Sequence, residues 1–144
     1  MEIELGESDI AIANLFEKIT KVMPIDWVEV DGTLLFVVPF KTITKTIGKE
    51  GSNVKKLEKK FGKKVFIFGN SSNIKQFVKN LFNNVKIYQV EVVDVMGKKA
   101  VTIVAEEKDK KKILGKEGVR IKGAKELMER MFNASLHVKT KRVV

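Results

Sequence analysis

The sequence predicts an α+β protein composed of two copies of one αββααβ unit that are rigidly apposed. Two observations indicate the duplication. The segment Ile47–Val54 (IGKEGSNV) matches the segment Leu114–Ile121 (LGKEGVRI) at an offset of 67 residues. The glycines of two predicted β-hairpins, Gly32 and Gly97, are offset by 65 residues. The same order of elements is therefore expected on both sides of the middle of the chain.

The length of 144 residues is enough for two small domains, and we place them at residues 1–69 and 70–144. Repeat arrays of the solenoid type need three or more units, and the sequence shows two. The connection between the halves, Gly69–Ser72, is too short to act as a flexible tether. We therefore expect the two halves to keep a fixed relation to each other.

Local patterns predict the elements of the first half. Ser8 or Asp9 can cap a helix with apolar residues at helical spacing, and Pro24 ends it. The dipeptide Asp-Gly at residues 31–32 joins two β-rich segments as a hairpin. The predicted elements are a helix reaching Met23, strands at Trp27–Val30 and Thr33–Val38, helical turns at Lys41–Ile47, a helix between Gly51 and Gly62, and a strand at Val65–Phe68.

The second half repeats this order. Ser71 or Ser72 can cap its first helix, and Asn133 can end its longest one. The predicted elements are a helix with apolar residues from Ile74 to Phe82, strands at Lys86–Val95 and Lys99–Ala105, a short helix at Glu107–Leu114, a helix at Val119–Phe132, and a strand containing Leu136 and Val138.

The charge of the chain is localised. The formal net charge is +10, and 25 of the 28 basic residues are lysines. Residues 1–40 carry −6, residues 41–70 carry +7 and residues 71–144 carry +9. A basic surface beside an acidic one is typical of a site that attracts a polyanion.

Composition excludes several other functions. Without cysteine there is no thiolate metal site, and a single histidine, His137, leaves little for a metal cage or a Ser-His-Asp triad. We find no nucleophile–base pair, and so expect no enzyme activity and no cofactor or metal. The longest uncharged apolar run, Thr33–Phe40, is too short to span a bilayer, and the acidic N-terminus is unlike a signal peptide. We expect a cytoplasmic protein without a membrane partner.

Two identical tetrapeptides carry the binding chemistry. Gly48–Gly51 and Gly115–Gly118 read Gly-Lys-Glu-Gly, and each lies between two predicted helices. Glycine at both ends allows close backbone approach, and the amides that start the following helix form a phosphate site. Lys49 and Lys116 supply charge within the loops. The basic residues expected around them are Lys45, Lys55, Lys56, Lys112, Arg120 and Lys122.

Apolar residues flank each glycine pair and predict the other half of a site. They are Ile47 and Val54 in the first half and Leu114 and Ile121 in the second. An apolar groove beside a phosphate clamp suits the splayed bases of a single strand and does not suit a duplex. Neither loop matches the spacing of a P-loop or of a dinucleotide-binding motif.

These loops, placed between two helices, resemble the signature of the KH domain, and the order αββααβ is that of its type II form. Two such domains on a short linker resemble the archaeal NusA family of transcription termination/antitermination factors, over about Ser8 to Lys141. The resemblance implies a cytoplasmic protein that binds nascent single-stranded RNA alongside RNA polymerase, without catalysis. In that family the two grooves form one extended RNA surface, and the loop residues are Gly48–Gly51 and Gly115–Gly118.

Two departures from the family pattern stand out, the first of them a difference from the longer bacterial relatives. At this length we expect no N-terminal polymerase-binding domain and no S1 domain, so any contact with RNA polymerase would use the KH units. Each loop also holds an acid, Glu50 or Glu117, which either points into solvent or weakens the phosphate contact. We expect a monomer. The alternatives are a KH protein of small-subunit ribosome assembly or rRNA processing, and a protein-interaction scaffold in which the basic loops are idle.

Overall fold

The structure is a computed structural model that describes residues 7–142. The first six residues of the acidic N-terminal segment lie outside this range. The described chain divides into two compact units, one containing residues up to 27 and 32–70, the other residues 28–31 and those from 71 onward. The domains at residues 1–69 and 70–144, and their rigid apposition, stay predictions.

The predicted α+β class and the repeated αββααβ order are confirmed, and the arrangement is consistent with KH-like domains. The elements of the first half are α1 (Glu7–Thr20), β1 (Asp26–Val30), β2 (Thr33–Val38), α2 (Ile43–Ile47), α3 (Ser52–Phe61) and β3 (Lys64–Gly69). Those of the second half are α4 (Ile74–Leu81), β4 (Ile87–Val95), β5 (Lys98–Glu106), α5 (Lys110–Leu114), α6 (Val119–Phe132) and β6 (Ala134–Lys141). A 3-10 turn precedes both α2 and α5.

Each half contains one three-stranded sheet. The strand orders are β1-β2-β3 and β4-β5-β6. β3 pairs with β2 in parallel, and β6 pairs with β5 in parallel, whereas β4 runs antiparallel to β5. The central strand of the first sheet, β2, is buried at all six positions, which explains its unbroken apolar sequence.

The core of the first half lies between its helices and β2. Phe16 of α1 stacks on Phe36 of β2 with 4.3 Å between ring centroids. Leu57 of α3 is fully buried in the same cluster. Val54 is half-buried and packs against it. The first turns of α3 are therefore anchored to the sheet, which positions the loop before them.

The core of the second half is built in the same way. Leu127 and Met128 of α6 are fully buried, as is Ile103 of β5. The ring centroids of Phe77 in α4 and Phe132 at the end of α6 are 5.1 Å apart. This packing holds the C-terminal half of α6 in the core.

Three predicted helix boundaries are wrong: the start of α4, the start of α1 and the end of α1. α4 is capped by Asn73, whose side chain accepts from the Gln76 amide at 3.0 Å, and not by either serine before it. α1 begins at Glu7 and ends at Thr20, before Met23, which is 55% exposed. Lys21 has a φ of 64° and so stops the helix ahead of Pro24.

Candidate nucleic-acid interface

The two Gly-Lys-Glu-Gly loops have the same backbone conformation. Gly48 has φ 78° and ψ 167°, and Gly115 has φ 73° and ψ 176°. The Gly51 amide donates to the Gly48 carbonyl at 3.1 Å, and the Gly118 amide donates to the Gly115 carbonyl at the same distance. Two segments 67 residues apart thus form one structural motif twice.

The acid of each loop lies in the left-handed region. Glu50 has φ 54° and ψ 31°, and Glu117 has φ 56° and ψ 26°. Non-glycine residues rarely adopt this conformation, because Cβ then crowds the following carbonyl. Both glutamates are exposed, so the acids point into solvent and the turn is made at some conformational cost.

This geometry predicts a stabilising substitution. Glu50→Gly is expected to raise the free energy of unfolding by up to about 1 kcal/mol, because glycine adopts positive φ without strain but gains freedom in the unfolded chain. Urea unfolding followed by circular dichroism measures the change. The matched control is Lys49→Gly. Lys49 has a helical backbone, so glycine there should lower the free energy of unfolding by about 0.5–1 kcal/mol. Equal losses in both variants would show that the left-handed turn is not kept in solution.

The helix after each loop begins without a side-chain cap. α3 follows Gly51 and α6 follows Gly118, and neither N-terminus receives a side-chain hydrogen bond. The first amide of each helix donates back to the loop lysine, Ser52 to the Lys49 carbonyl and Val119 to that of Lys116. The next amides of such a turn have no intrahelical partner and carry partial positive charge, so they suit an anion.

Most of the basic residues expected around the loops are exposed. The exposed lysines are Lys45, Lys49, Lys55, Lys56, Lys112, Lys116 and Lys122. Lys112 also approaches the buried carboxylate of Asp109 at 3.7 Å. The seven exposed ammonium groups are point charges and not planar forks, a chemistry that suits a phosphate backbone better than base edges.

Arg120 differs from these lysines. Its side chain is buried, with 6% of the residue exposed, and burial lowers the pKa of its guanidinium. The prediction of a surface counter-charge at this position is therefore wrong. The guanidinium donates to protein carbonyls and to Asn84, a partner that the sequence did not reveal.

The predicted apolar residues separate into two groups. Leu114 is 37% exposed and Ile47 is half-buried, so both present apolar surface immediately before a loop. Val54 packs against the first core, and Ile121 is only 8% exposed. Ile121 therefore offers little exposed apolar surface, and its place in an RNA groove stays a prediction.

Asn53 belongs to the site although it was not predicted. Its side-chain amide donates to the Lys45 carbonyl at 3.1 Å, and Arg120, at the equivalent position, donates to the Lys112 carbonyl at 3.0 Å. Both contacts tie the helix after the loop to the helix before it. The sequence feature that could have identified Asn53 is its position two residues after the second glycine, which is the position of Arg120 in the second half.

Residues 7–142 contain neither a metal-binding cluster nor a membrane-spanning helix. No group of three or more His, Cys, Asp or Glu side chains in this range could hold a metal ion. None of its helices is long and apolar enough to cross a membrane.

No family model matches the chain, but its curated relatives share one name. The chain is 34% identical over 131 residues to the probable transcription termination protein NusA of Methanococcus vannielii, covering 91% of this chain and 76% of the relative. The protein of the same name from Methanocaldococcus jannaschii is 32% identical, covering 90% and 70%. The crystal structure of APE1850 matches with a TM-score of 0.79 and 28% identity, covering 95% of this chain and 100% of that chain.

Proposed function

We propose that this chain, which belongs to the archaeal NusA family of transcription termination proteins, binds the single-stranded RNA of a nascent transcript through its two Gly-Lys-Glu-Gly loops. Membership of this family indicates that the chain is a transcription termination factor. The loops provide the mode of RNA binding. The relatives are named for termination of transcription, which favours this role over ribosome assembly or rRNA processing.

The observation that carries the proposal is the duplicated loop geometry. The φ angles of the two glycines and the glutamate differ by no more than 5° between the loops, and the closing hydrogen bond measures 3.1 Å in both. Each loop bears an exposed lysine, Lys49 or Lys116. A conformation that places a glutamate at positive φ twice is not the lowest-energy connection of two helices, so a functional requirement accounts for it.

The proposed binding mode follows from these groups. A phosphate lies at the loop, near the first amides of α3 or α6 and the loop lysine. The neighbouring exposed lysines neutralise adjacent phosphates. Bases turned away from the backbone contact the apolar surface of Ile47 or Leu114. Because phosphates outnumber base contacts in this arrangement, the loops position the strand and contribute little sequence preference.

RNA polymerase is the protein partner that a termination factor implies, and we propose that the KH units themselves make that contact. The RNA-binding surfaces act without catalysis and as part of a monomer. In this scheme the chain holds the transcript, and the effect on transcription comes from the complex that it joins.

The salt dependence of binding tests the proposed mode. If each loop and its neighbours neutralise two phosphates, log K for a fluorescent oligouridine should fall with log salt at a slope of about −3, or about 50-fold between 50 and 200 mM. Fluorescence anisotropy measures the affinity, and an RNA duplex of the same length serves as the control. A slope near zero, or duplex binding as tight as that of the single strand, would contradict the proposal.

A further inference from the structure

We infer that Arg120 is a positioning residue for the second loop, and that it joins the C-terminal ends of α4 and α5 so that the loop is ordered before RNA binds. The inference rests on the proposed function in one respect, namely that the loop contacts RNA. The ordering itself is a property of the protein alone.

The contacts of Arg120 connect two helices that are distant in sequence. Its Nε and Nη2 atoms donate to the Leu81 carbonyl at 3.2 and 2.8 Å. Nη1 donates to the Asn84 side chain at 2.7 Å and to the Lys112 carbonyl at 3.0 Å. The guanidinium also lies 5.3 Å from the centroid of the Phe82 ring. One side chain therefore holds α4, the segment after it, and α5.

The chemistry of helix ends explains why arginine occupies this position. Leu81 is the last residue of α4, and Lys112 lies in the last turn of α5. The final carbonyls of a helix lack intrahelical partners and carry partial negative charge. The buried guanidinium of Arg120 satisfies two such carbonyls at once and is itself stabilised by them, since it has five donors in a fixed plane.

The loop is in direct contact with this residue. A Cβ added to Gly115 would lie 2.8 Å from the Arg120 Cβ and 3.0 Å from its backbone nitrogen. The loop cannot shift toward α6 without displacing Arg120. The close approach is to the first turn of α6, and the guanidinium of Arg120 fixes that turn to the ends of α4 and α5. Gly115 is held in place through this turn.

The first loop has a simpler version of the same connection. Asn53 occupies the position of Arg120 and donates to the Lys45 carbonyl, the equivalent of Lys112. A side chain of this length connects only the two helices that flank the loop. Replacing Arg120 by the asparagine that stands at this position in the first half, Arg120→Asn, therefore removes the connection to α4 and is the variant to test.

In the full chain, Arg120→Asn is expected to speed amide hydrogen exchange at Gly115–Gly118 by about 10-fold, because the loop loses its connection to α4. Affinity for the fluorescent oligouridine should fall by about 10-fold, since binding must then order the loop. The slope of log K against log salt should stay unchanged. Loss of a phosphate contact would instead reduce that slope by about 0.7.

Two further variants complete the test. Arg142→Asn makes the same charge change at a side chain that is 84% exposed, and should leave exchange in the second loop unchanged. Asn84→Ala removes one partner of Arg120 without touching the loop, and should speed exchange there to a smaller extent, even if Arg120→Asn does not fold.

Three results would overturn the inference: unchanged exchange in both Arg120→Asn and Asn84→Ala, equal effects of Arg120→Asn and Arg142→Asn, or a reduced salt slope in Arg120→Asn. Failure of the unmodified chain to bind oligouridine would remove the proposed function instead. The exchange measurement needs no RNA, so it would still decide whether Arg120 holds the loop.

Discussion

Replacing the first glycine of either loop by alanine, Gly48→Ala or Gly115→Ala, is expected to lower the free energy of unfolding by about 3 kcal/mol. Both glycines combine positive φ with an extended ψ, a conformation that is essentially restricted to glycine. There is no room for the added methyl group either. At Gly48 it would lie 2.9 Å from the backbone nitrogen of Asn53, which the helix cannot move without breaking its first turn. Urea unfolding measures the loss.

The second glycine of each loop provides the matched control. Gly51 has an ordinary left-handed conformation, and a Cβ added there meets no heavy atom within 4 Å. At Gly118 the nearest described atom is the Lys122 Cε at 3.7 Å, an ordinary contact. Gly51→Ala and Gly118→Ala should therefore cost only about 1 kcal/mol each. Equal costs at the first and second glycines would contradict the close approach of loop and helix.

Elements bounded by strong local signals could be predicted from the sequence. β2 spans Thr33–Val38 and α6 spans Val119–Phe132, as expected, because glycine, proline or asparagine stands at their ends. The start of α4 could not be predicted, since three adjacent polar residues can each cap a helix. The choice of Asn73 depends on where β3 ends and the chain turns, which is decided by packing.

The loops could be located from sequence, but their conformation could not. Repetition of Gly-Lys-Glu-Gly indicated a functional turn in each half. Local propensity disfavours glutamate at positive φ, so nothing indicated that Glu50 and Glu117 adopt it. The closing hydrogen bonds within each loop, together with the ties of Asn53 and Arg120 between the flanking helices, stabilise this conformation.

The burial of Arg120 is the clearest case in which tertiary structure overrides composition. Arginine is rarely buried, and this one follows a basic loop, so a surface role was the natural expectation. Its principal partner, the Leu81 carbonyl, lies 39 residues earlier in the chain. Only the fold brings the end of α4 within reach, and the carbonyls there compensate the buried charge.

Reversing the charge of both loop lysines, Lys49→Asp with Lys116→Asp, is expected to weaken RNA binding about 100-fold. A hydrogen bond to a charged group contributes about 1.5–3 kcal/mol, and its loss at an exposed loop corresponds to about 10-fold per loop. Both side chains are exposed, so the fold should be retained. Circular dichroism checks that it is.

The control makes the same change in charge away from the loops. Lys60 lies at the C-terminal end of α3, and Lys125 lies past the first turn of α6; both are exposed. The double variant Lys60→Asp with Lys125→Asp changes the net charge by the same amount. Exposed charges away from the bound strand are screened by salt and contribute at most about 1 kcal/mol, so their effect on RNA affinity should be about fivefold or less.

The dissociation constant of fluorescent oligouridine for these two double variants, at one salt concentration, tests the central claim most directly. We predict that the loop variant binds about 100-fold more weakly than the unmodified chain, and that the control variant stays within about fivefold of it. Equal affinities for the two variants would show that RNA responds to the overall charge of the chain and not to its loops. That result would contradict the proposed mode of binding.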